Sequence, residues 1–231
     1  MHLRSRLHAV GWRYAAREVL LIVIGVLLAL TASDWQQRRS ARQVELGILS
    51  EINHALAEDV EQLDAALGRF NSIVARGDVL MSYLASRAPY ADSLDAYFGT
   101  MYWFASRTMA LNTAAYESLK SQGLGLVSDQ DLRSEITRVY EQTYPLLERV
   151  RDGEREAVLG LLRPYVLLHF RDLIFGQNAT PLDYEAASND VEFLNLASYR
   201  LQLARQNQVP LLEAAIAELR SLIDRIDGEL H

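Results

Sequence analysis

The stretch VLLIVIGVLLALTA at residues 19–32 contains no charged side chain, and it decides how the rest of the chain is interpreted. Fourteen residues are fewer than the ~20 that a helix needs to cross a ~30 Å hydrocarbon layer. Ala15 and Ala16 extend the stretch on one side, and Ser33 extends it on the other. We therefore predict a transmembrane helix over residues 15–35, preceded by a short basic N-terminus at 1–14.

A cleaved signal peptide is the main alternative, because a basic start followed by an apolar core has that pattern as well. No clean Ala-x-Ala cleavage site follows the apolar core. Trp35 and the pair Arg38-Arg39 come directly after it, as they do in an anchor. The sequence favours a span that stays attached.

Aromatic and charged residues flank the predicted span. Trp12 and Tyr14 on one side and Trp35 on the other are typical of interfacial anchors. Arg17 and Glu18 lie at the inner end, where a long side chain can reach the headgroups. An ionisable residue at membrane depth is often functional, so a Glu18 that lines a pore between several helices is the other interpretation.

The charge distribution predicts the orientation of the span. Four arginines precede the apolar run at 19–32, and loops rich in Lys and Arg stay in the cytoplasm. The later residues Arg38, Arg39 and Arg42 weaken this signal. We expect a bacterial inner-membrane protein with a cytoplasmic N-terminus and a periplasmic domain. The four arginines are Arg4, Arg6, Arg13 and Arg17.

Small residues recur every fourth position in the span, at Gly25, Ala29 and Ser33. Residues at this spacing share one face of a helix. Small side chains let two helix backbones approach closely in lipid. The pattern predicts a helix–helix face and a homo-oligomer, although small residues are also common in such spans by chance.

Composition limits the function of the remaining residues, 36–231. Half of the 231 residues are hydrophobic, so a packed core is expected. The chain has a net charge of −7, and the part after the span is more acidic still. This charge argues against nucleic acid as a partner, because phosphate backbones bind to basic surfaces. The absence of cysteine excludes disulfides, thiolate metal sites and cysteine nucleophiles.

An apolar stripe predicts that a long helix follows the span. Apolar residues recur at steps of three or four from Leu49 to Leu84, and no proline occurs before Pro89. We predict an all-α fold: a long helix over 36–86 that continues the span, and a helical bundle over 90–231. The stripe can pack within its own chain or against copies of itself in a coiled coil.

The rest of the chain also shows helical signals and no alternating strand pattern. Pro145, Pro164 and Pro210 fall inside predicted helices, where they favour kinks. One predicted helix covers 154–175, and 176–189 forms the longest loop. Pro181 is expected at the first position of a further helix. Ser128 with Asp131 resembles a capping box.

The sequence offers little chemistry. A solvated helix face explains Glu58 and Asp59. The aromatic residues at 97–104 are interpreted as part of the core, and a ligand pocket is the alternative interpretation. His54 and Glu58 form only a weak i, i+4 pair, and His169 in an apolar helix is interpreted as a core histidine. No hydrolase, metalloprotease, kinase or nucleotide-binding motif is present. We predict no catalytic residue, cofactor or metal.

Two segments resemble a widespread, uncharacterised family of bacterial single-pass membrane proteins. The first is RYAAREVLLIVIGVLLALTASDWQQRR at 13–39, and the second is LNTAAYESLKSQGLGLVSDQDLRSEITRVYE at 111–141. In the first, the similar positions are Tyr14, Arg17, Glu18, Gly25, Asp34 and Trp35. In the second, they are Tyr116, Leu119, Gly123, Leu126, Asp131, Leu132, Arg133 and Tyr140. The resemblance implies one anchor and one helical domain, and it implies no reaction or ligand.

These observations together predict a non-enzymatic protein of the bacterial envelope. It would be a membrane-anchored helical interaction, scaffold or sensor module whose partners are the lipid bilayer, copies of itself and another envelope protein. The alternative is a subunit of an oligomeric channel or transport complex in which the single helices line a pore.

Overall fold

A computed structural model describes the backbone of residues 6–231 and the side chains of residues 17–231. The structure is 82% helical, which confirms the predicted all-α class. It divides into two compact units, one up to Gly47 and one over Ile48–His231.

The first helix, α1, runs from Arg6 to Ala85 without a break and crosses from the first unit into the second. Its apolar stripe lies in the core of the second unit, where Leu49, Leu63 and Phe70 have no exposed surface. A Cβ atom on Gly77 would lie 2.2 Å from Leu201 of a later helix, so α1 approaches that helix closely. The stripe therefore packs within its own chain, as in a bundle.

Helix α1 ends one residue before the predicted position. The Ser86 N–H still bonds to the Ser82 carbonyl oxygen, and Arg87 then adopts a positive φ of 52°. Pro89, which disfavours helix in the residue before it, follows directly. A 3₁₀ turn over Asp92–Leu94 leads into the next helix.

The second unit contains eight further helices and one hairpin, with the following bounds: α2 Asp95–Met101, α3 Ala114–Gln122, α4 Gln130–Arg138, α5 Tyr144–Arg155, α6 Arg163–His169, β1 Phe170–Ile174, β2 Asn178–Pro181, α7 Tyr184–Asn189, α8 Val191–Leu203 and α9 Val209–Leu230. A second 3₁₀ turn covers Leu124–Leu126. The aromatic residues of the α2 region support the core interpretation, since Phe98 and Tyr102 are buried.

Each proline that was expected to kink a helix lies two residues after a turn of π-helix. The π turns are Val139–Thr143, Glu156–Leu162 and Ala204–Gln208, and the prolines are Pro145, Pro164 and Pro210. A proline has no N–H, and its ring clashes with the carbonyl four residues earlier. The wider π turn relieves this clash, so the chain stays helical from Gln130 to His169 and from Val191 to Leu230.

The prediction of one helix over 154–175 was wrong, and so was the absence of strands. After His169 the chain forms an antiparallel hairpin in which Arg171 pairs with Thr180 and Ile174 with Asn178. The hairpin is held against α2, because the Gly176 N–H bonds to the Gly99 carbonyl oxygen. A Cβ on Gly99 would lie 2.3 Å from the backbone of Asn178, so this contact requires glycine.

Aspartate side chains cap the N-termini of three of these helices. At two of them the helix start differs from the prediction. Asp129, and not Ser128, caps α4 by accepting from the N–H groups of residues 131 and 132. Pro181 ends β2 instead of starting a helix, and Asp183 caps α7. Asp190 caps α8 by accepting from the N–H group of residue 192.

Candidate functional site

The first candidate site is the apolar part of α1 itself. Ten large apolar side chains between Val19 and Leu30 are 44–65% exposed. The most apolar 18-residue window has a mean hydropathy of 1.9, and none of it is buried. Within the described residues, α1 is the one helix long and apolar enough to span a membrane. Burial of one such side chain is worth ~1.5–3 kcal/mol, so ten represent a large unrealised stabilisation in water.

The predicted flanking residues lie on the surface of the same helix where the structure describes them. Arg17 and Glu18 are exposed immediately before the apolar run. Trp35 is 63% exposed, and the Arg39 guanidinium lies 5.4 Å from the centre of its ring. Trp12 and Tyr14 lie outside the residues whose side chains are described.

The predicted helix–helix face is open in the single chain. Gly25, Ala29 and Ser33 are all exposed. A Cβ added to Gly25 would meet no atom within 4 Å. Among the residues that the structure describes, none therefore contacts this face at Gly25.

The second candidate site is a buried carboxylate in the middle of α1. Asp59 was assigned to a solvated face, but its exposed fraction is 0%. Its carboxylate accepts a hydrogen bond from the Tyr144 hydroxyl at 2.5 Å and from the Asn112 N–H at 3.0 Å. Burial raises the pKa of Asp59, and these two hydrogen bonds oppose that effect.

Three tyrosines connect this carboxylate to the surface. The rings of Tyr140 and Tyr144 are 4.8 Å apart, and those of Tyr140 and Tyr116 stack at 4.5 Å. The Tyr116 hydroxyl donates to Glu141, which also forms an ion pair with Lys120. Burial is the main cause of the raised pKa of Tyr144, so its phenol stays protonated and acts as a hydrogen-bond donor.

The third candidate site is an ion pair without solvent exposure. The Arg200 guanidinium contacts the Glu154 carboxylate at 2.5 Å, and both side chains are 0% exposed. Glu154 also accepts from the N–H groups of Ala105 and Ser106, each at 2.8 Å, and from the Ser106 hydroxyl. Burial lowers the pKa of Arg200, and Glu154 counteracts this. The carboxylate has all its partners within the protein.

These two buried carboxylates hold the same irregular stretch of backbone, residues 102–113, which we call the 102–113 segment. It has neither helix nor strand, yet Ala105 and Ser106 within it are fully buried. Side chains of α1 bond to it in an antiparallel order: Asp59 to Asn112, Gln62 to Ala110 and Arg69 to Ala105. Buried backbone groups need such partners where no regular structure supplies them.

The described surface clefts are lined by other residues. One of them, about 590 Å³, lies along α4 and is lined by Arg133, Glu135 and Arg138 among others. A second, of about 420 Å³, lies beside the hairpin near Tyr90 and Asp95. Burial is the main cause that raises the pKa of Tyr90 to about 12, and the hydrogen bond from its hydroxyl to Asp95 adds to the effect. Both clefts are open to solvent, and neither includes Asp59 or Glu154.

The histidines do not assemble a metal site in the part of the chain whose side chains are described. No group of three or more His, Asp or Glu side chains there is placed to hold a metal ion. His54 and Glu58 are 3.4 Å apart but largely exposed. The interpretation of His169 as a core histidine was wrong, because it is exposed and stacks on Tyr165 at 4.3 Å.

A family model covers the region that contains the first two sites and Glu154. The model of DUF6090, a family of unknown function, matches residues 18–155, more than half of the chain. The protein belongs to the DUF6090 family. The DUF6090 match starts at the apolar run and ends with α5, so Arg200 and the hairpin lie beyond it. No curated protein and no solved structure matches the chain.

Sequence reasoning missed the three charged residues whose exposed fraction is 0%, which are Asp59, Glu154 and Arg200. Asp59 sits between Glu58 and Val60, and that neighbourhood looks like an ordinary helix surface. One signal was available: Asp59 lies four residues before Leu63 and three after Leu56, and both belong to the apolar stripe. Glu154 and Arg200 carry no local signal, because the two residues pair across 46 positions of the sequence and lie on different helices.

Proposed function

We propose that this DUF6090 protein is a non-enzymatic, single-pass protein of the bacterial inner membrane. In this proposal α1 anchors a helical interaction, scaffold or sensor domain to the bilayer. The observation that carries the proposal is the run of ten exposed apolar side chains from Val19 to Leu30. A hydrocarbon environment accommodates such an apolar surface, and the helix pairs its own backbone N–H and carbonyl groups there.

The proposed orientation places the N-terminus in the cytoplasm and the domain in the periplasm. It rests on the arginines that precede the apolar run. The periplasmic side suits a chain without cysteine, because such a chain cannot form unwanted disulfides there.

Cysteine labelling tests the anchor and its orientation, because the natural chain has no cysteine background. Ser50→Cys introduces a thiol at an exposed position after the apolar run, and Ser5→Cys introduces one before it. A membrane-impermeant maleimide should label Ser50→Cys in intact cells and Ser5→Cys only after lysis. The protein should also remain in the membrane during alkaline extraction. A soluble product that lacks its first thirty-odd residues, or the opposite labelling, contradicts the proposal.

We propose further that the chain forms homo-oligomers through Gly25, Ala29 and Ser33. Their exposure supports this, since a Cβ added to Gly25 meets no described atom within 4 Å. Gly25→Leu with Ala29→Leu should lower the association constant of the chains in mild detergent. Val23→Phe adds four carbon atoms on the opposite face, as Gly25→Leu does on this one, and serves as the control. An unchanged association constant in the double variant removes this interface.

A channel or transport subunit is the alternative function. Exposed Glu18 beside the apolar run favours it, since several such helices together would bring these carboxylates to one pore. Ion flux through the reconstituted wild-type protein, reduced in Glu18→Gln, would establish this function. Absence of flux in the wild type excludes it.

The proposal that the protein is not an enzyme is supported by the surroundings of its buried carboxylates. Asp59 and Glu154 are fully buried and bonded to backbone N–H groups, tyrosine, serine or arginine. A general acid or base must reach the proton that it transfers, and these contacts hold both carboxylates away from the described clefts.

A further inference from the structure

An apolar surface remains open in the second unit, far along the chain from the predicted span. It surrounds α6 and the hairpin, and we call it the α6 face. Its six side chains are 53–73% exposed, and Leu168 is the most exposed at 73%. The members are Leu167, Leu168, Ile174, Phe175, Leu182 and Val191.

Hydrogen bonds bring the segments that carry these side chains together around α6. The Leu182 N–H bonds to the carbonyl oxygen of His169, which follows Leu168. On the other side, the Tyr165 hydroxyl bonds to Asp190, the residue before Val191.

The hairpin end of the α6 face is joined to the same helix. The Arg163 guanidinium lies 4.8 Å from the centre of the Phe175 ring, and Leu167 is one helical turn after Arg163. Phe175 also contacts the ring of buried Tyr102 at 5.7 Å. Phe175 is therefore held in place although half of its surface is exposed. Fixed aromatic residues beside arginine are typical of the residues that dominate binding at interfaces.

The size of this surface fits an interface. Six large apolar side chains that are more than half exposed amount to on the order of several hundred Å² of apolar area. A typical soluble monomer has at most ~300–600 Å² in its largest apolar patch, and such patches are often functional. A standard interface takes ~800 Å² from each partner, so the α6 face with its polar rim is large enough for one.

The rim indicates a protein partner and not a lipid surface. Exposed Arg171 and Asp172 lie side by side on β1, and Asp183 and Glu192 follow beside the apolar residues. Helices that bind membrane surfaces carry mainly basic residues around their apolar face, which this rim does not. A rim with both signs of charge allows a copy rotated by a two-fold axis to place opposite charges together.

We propose that the α6 face binds the α6 face of a second copy of this chain. The contact is isologous: the apolar centres meet, and Arg171 of each copy faces acidic rim residues of the other. This interface is separate from the Gly25 face in the span. The proposed anchor strengthens it, because two chains tethered to one membrane meet at a high effective concentration, and only this step rests on the proposed function.

The test uses the full-length protein in mild detergent. Leu168→Glu places a charge at the centre of the α6 face, and its exposure protects folding, which circular dichroism verifies. Val79→Glu is the control at an exposed apolar position of the same unit. We expect Leu168→Glu to weaken dimerisation at least tenfold and Val79→Glu to leave it unchanged. The same difference is expected with Gly25→Leu and Ala29→Leu present, so failure of the span interface does not affect this test.

Three results would overturn the proposal. The first is wild-type association in Leu168→Glu, and the second is loss of all association through the span variants alone. The third is a Leu168→Glu variant that still dimerises but binds less to lipid vesicles or to a different envelope protein, which would show that the α6 face serves another occupant. As an independent measurement, Leu168→Cys should cross-link between copies in membranes, whereas Val79→Cys should not.

Discussion

Two ion pairs of this protein have the same length but opposite surroundings. Arg200 contacts Glu154 at 2.5 Å with neither side chain exposed. Arg205 contacts Asp78 at 2.5 Å with both side chains about half exposed. We predict that Arg200→Met destabilises the fold by ~3–5 kcal/mol, because it leaves a buried carboxylate without its cation. Arg205→Ala should cost less than ~1 kcal/mol, because solvent screens the exposed pair.

The partners of Glu154 refine this prediction. Glu154→Leu removes the anion from Arg200 and also leaves the N–H groups of Ala105 and Ser106 without an acceptor. Each buried group that loses its bond costs ~1–3 kcal/mol, so Glu154→Leu should be more damaging than Arg200→Met. The double variant leaves no unpaired buried charge. We expect it to be ~2–3 kcal/mol less destabilised than the sum of the two single variants.

Thermal unfolding of the full-length protein in detergent measures these differences. Trp103 is a suitable fluorescence reporter, because its carbonyl oxygen accepts a hydrogen bond from Arg200. In a domain of this size 1 kcal/mol corresponds to ~2–4 °C, so Arg200→Met should lower Tm by roughly 6–20 °C and Arg205→Ala by less than ~4 °C. Equal losses for the two arginines, or strict additivity in the double variant, would refute the assignment of this cost to burial.

Three further predictions follow from the buried contacts. Burial raises the pKa of Asp59 above its ordinary 3.8, so the stability from its bound proton is present below that pH and is lost as pH rises through the folded-state pKa. The stability of Asp59→Asn relative to wild type should therefore increase with pH between pH 3.8 and the folded-state pKa and then level off, which unfolding at several pH values measures. A stability difference that decreases over this pH range contradicts the prediction. Gly99→Ala should lower stability by several kcal/mol, since its Cβ meets the Asn178 backbone, and the matched Gly68→Ala, which meets nothing within 4 Å, should not. A chain that ends after Arg155 should lack cooperative unfolding, because it loses Arg200 and the residues that cover the stripe of α1; a sharp transition in that fragment would show that 156–231 is dispensable.

The elements that have a periodic or local pattern in their own residues were predictable from the sequence. The stripe from Leu49 to Leu84 specified both the length of α1 and the face that is buried. Pro89 marked the end of α1, which stops at Ala85. Whether the stripe packs within one chain or between chains was not predictable, because both cases require the same period in the sequence.

The hairpin was not predictable because its determinants lie elsewhere in the chain. Residues 170–175 read FRDLIF, and nothing in this run separates it from the helix before it. What fixes the hairpin is contact with α2, where Gly99 lets the backbone of Asn178 approach. Long-range contacts of this kind override local preference, and one sequence does not reveal them.

The buried charges belong to the same class of nonlocal feature, and they share one structural purpose. Asp59 accepts from the N–H group of Asn112 at one end of the 102–113 segment. Glu154 accepts from the N–H groups of Ala105 and Ser106 nearer its other end. A buried segment without helix or strand needs acceptors for its N–H groups, and a carboxylate offers several at once. These bonds account for the burial of both carboxylates without any substrate. Because Arg200 neutralises Glu154 from α8, the segment that the family model matches depends on residues beyond it for a complete core.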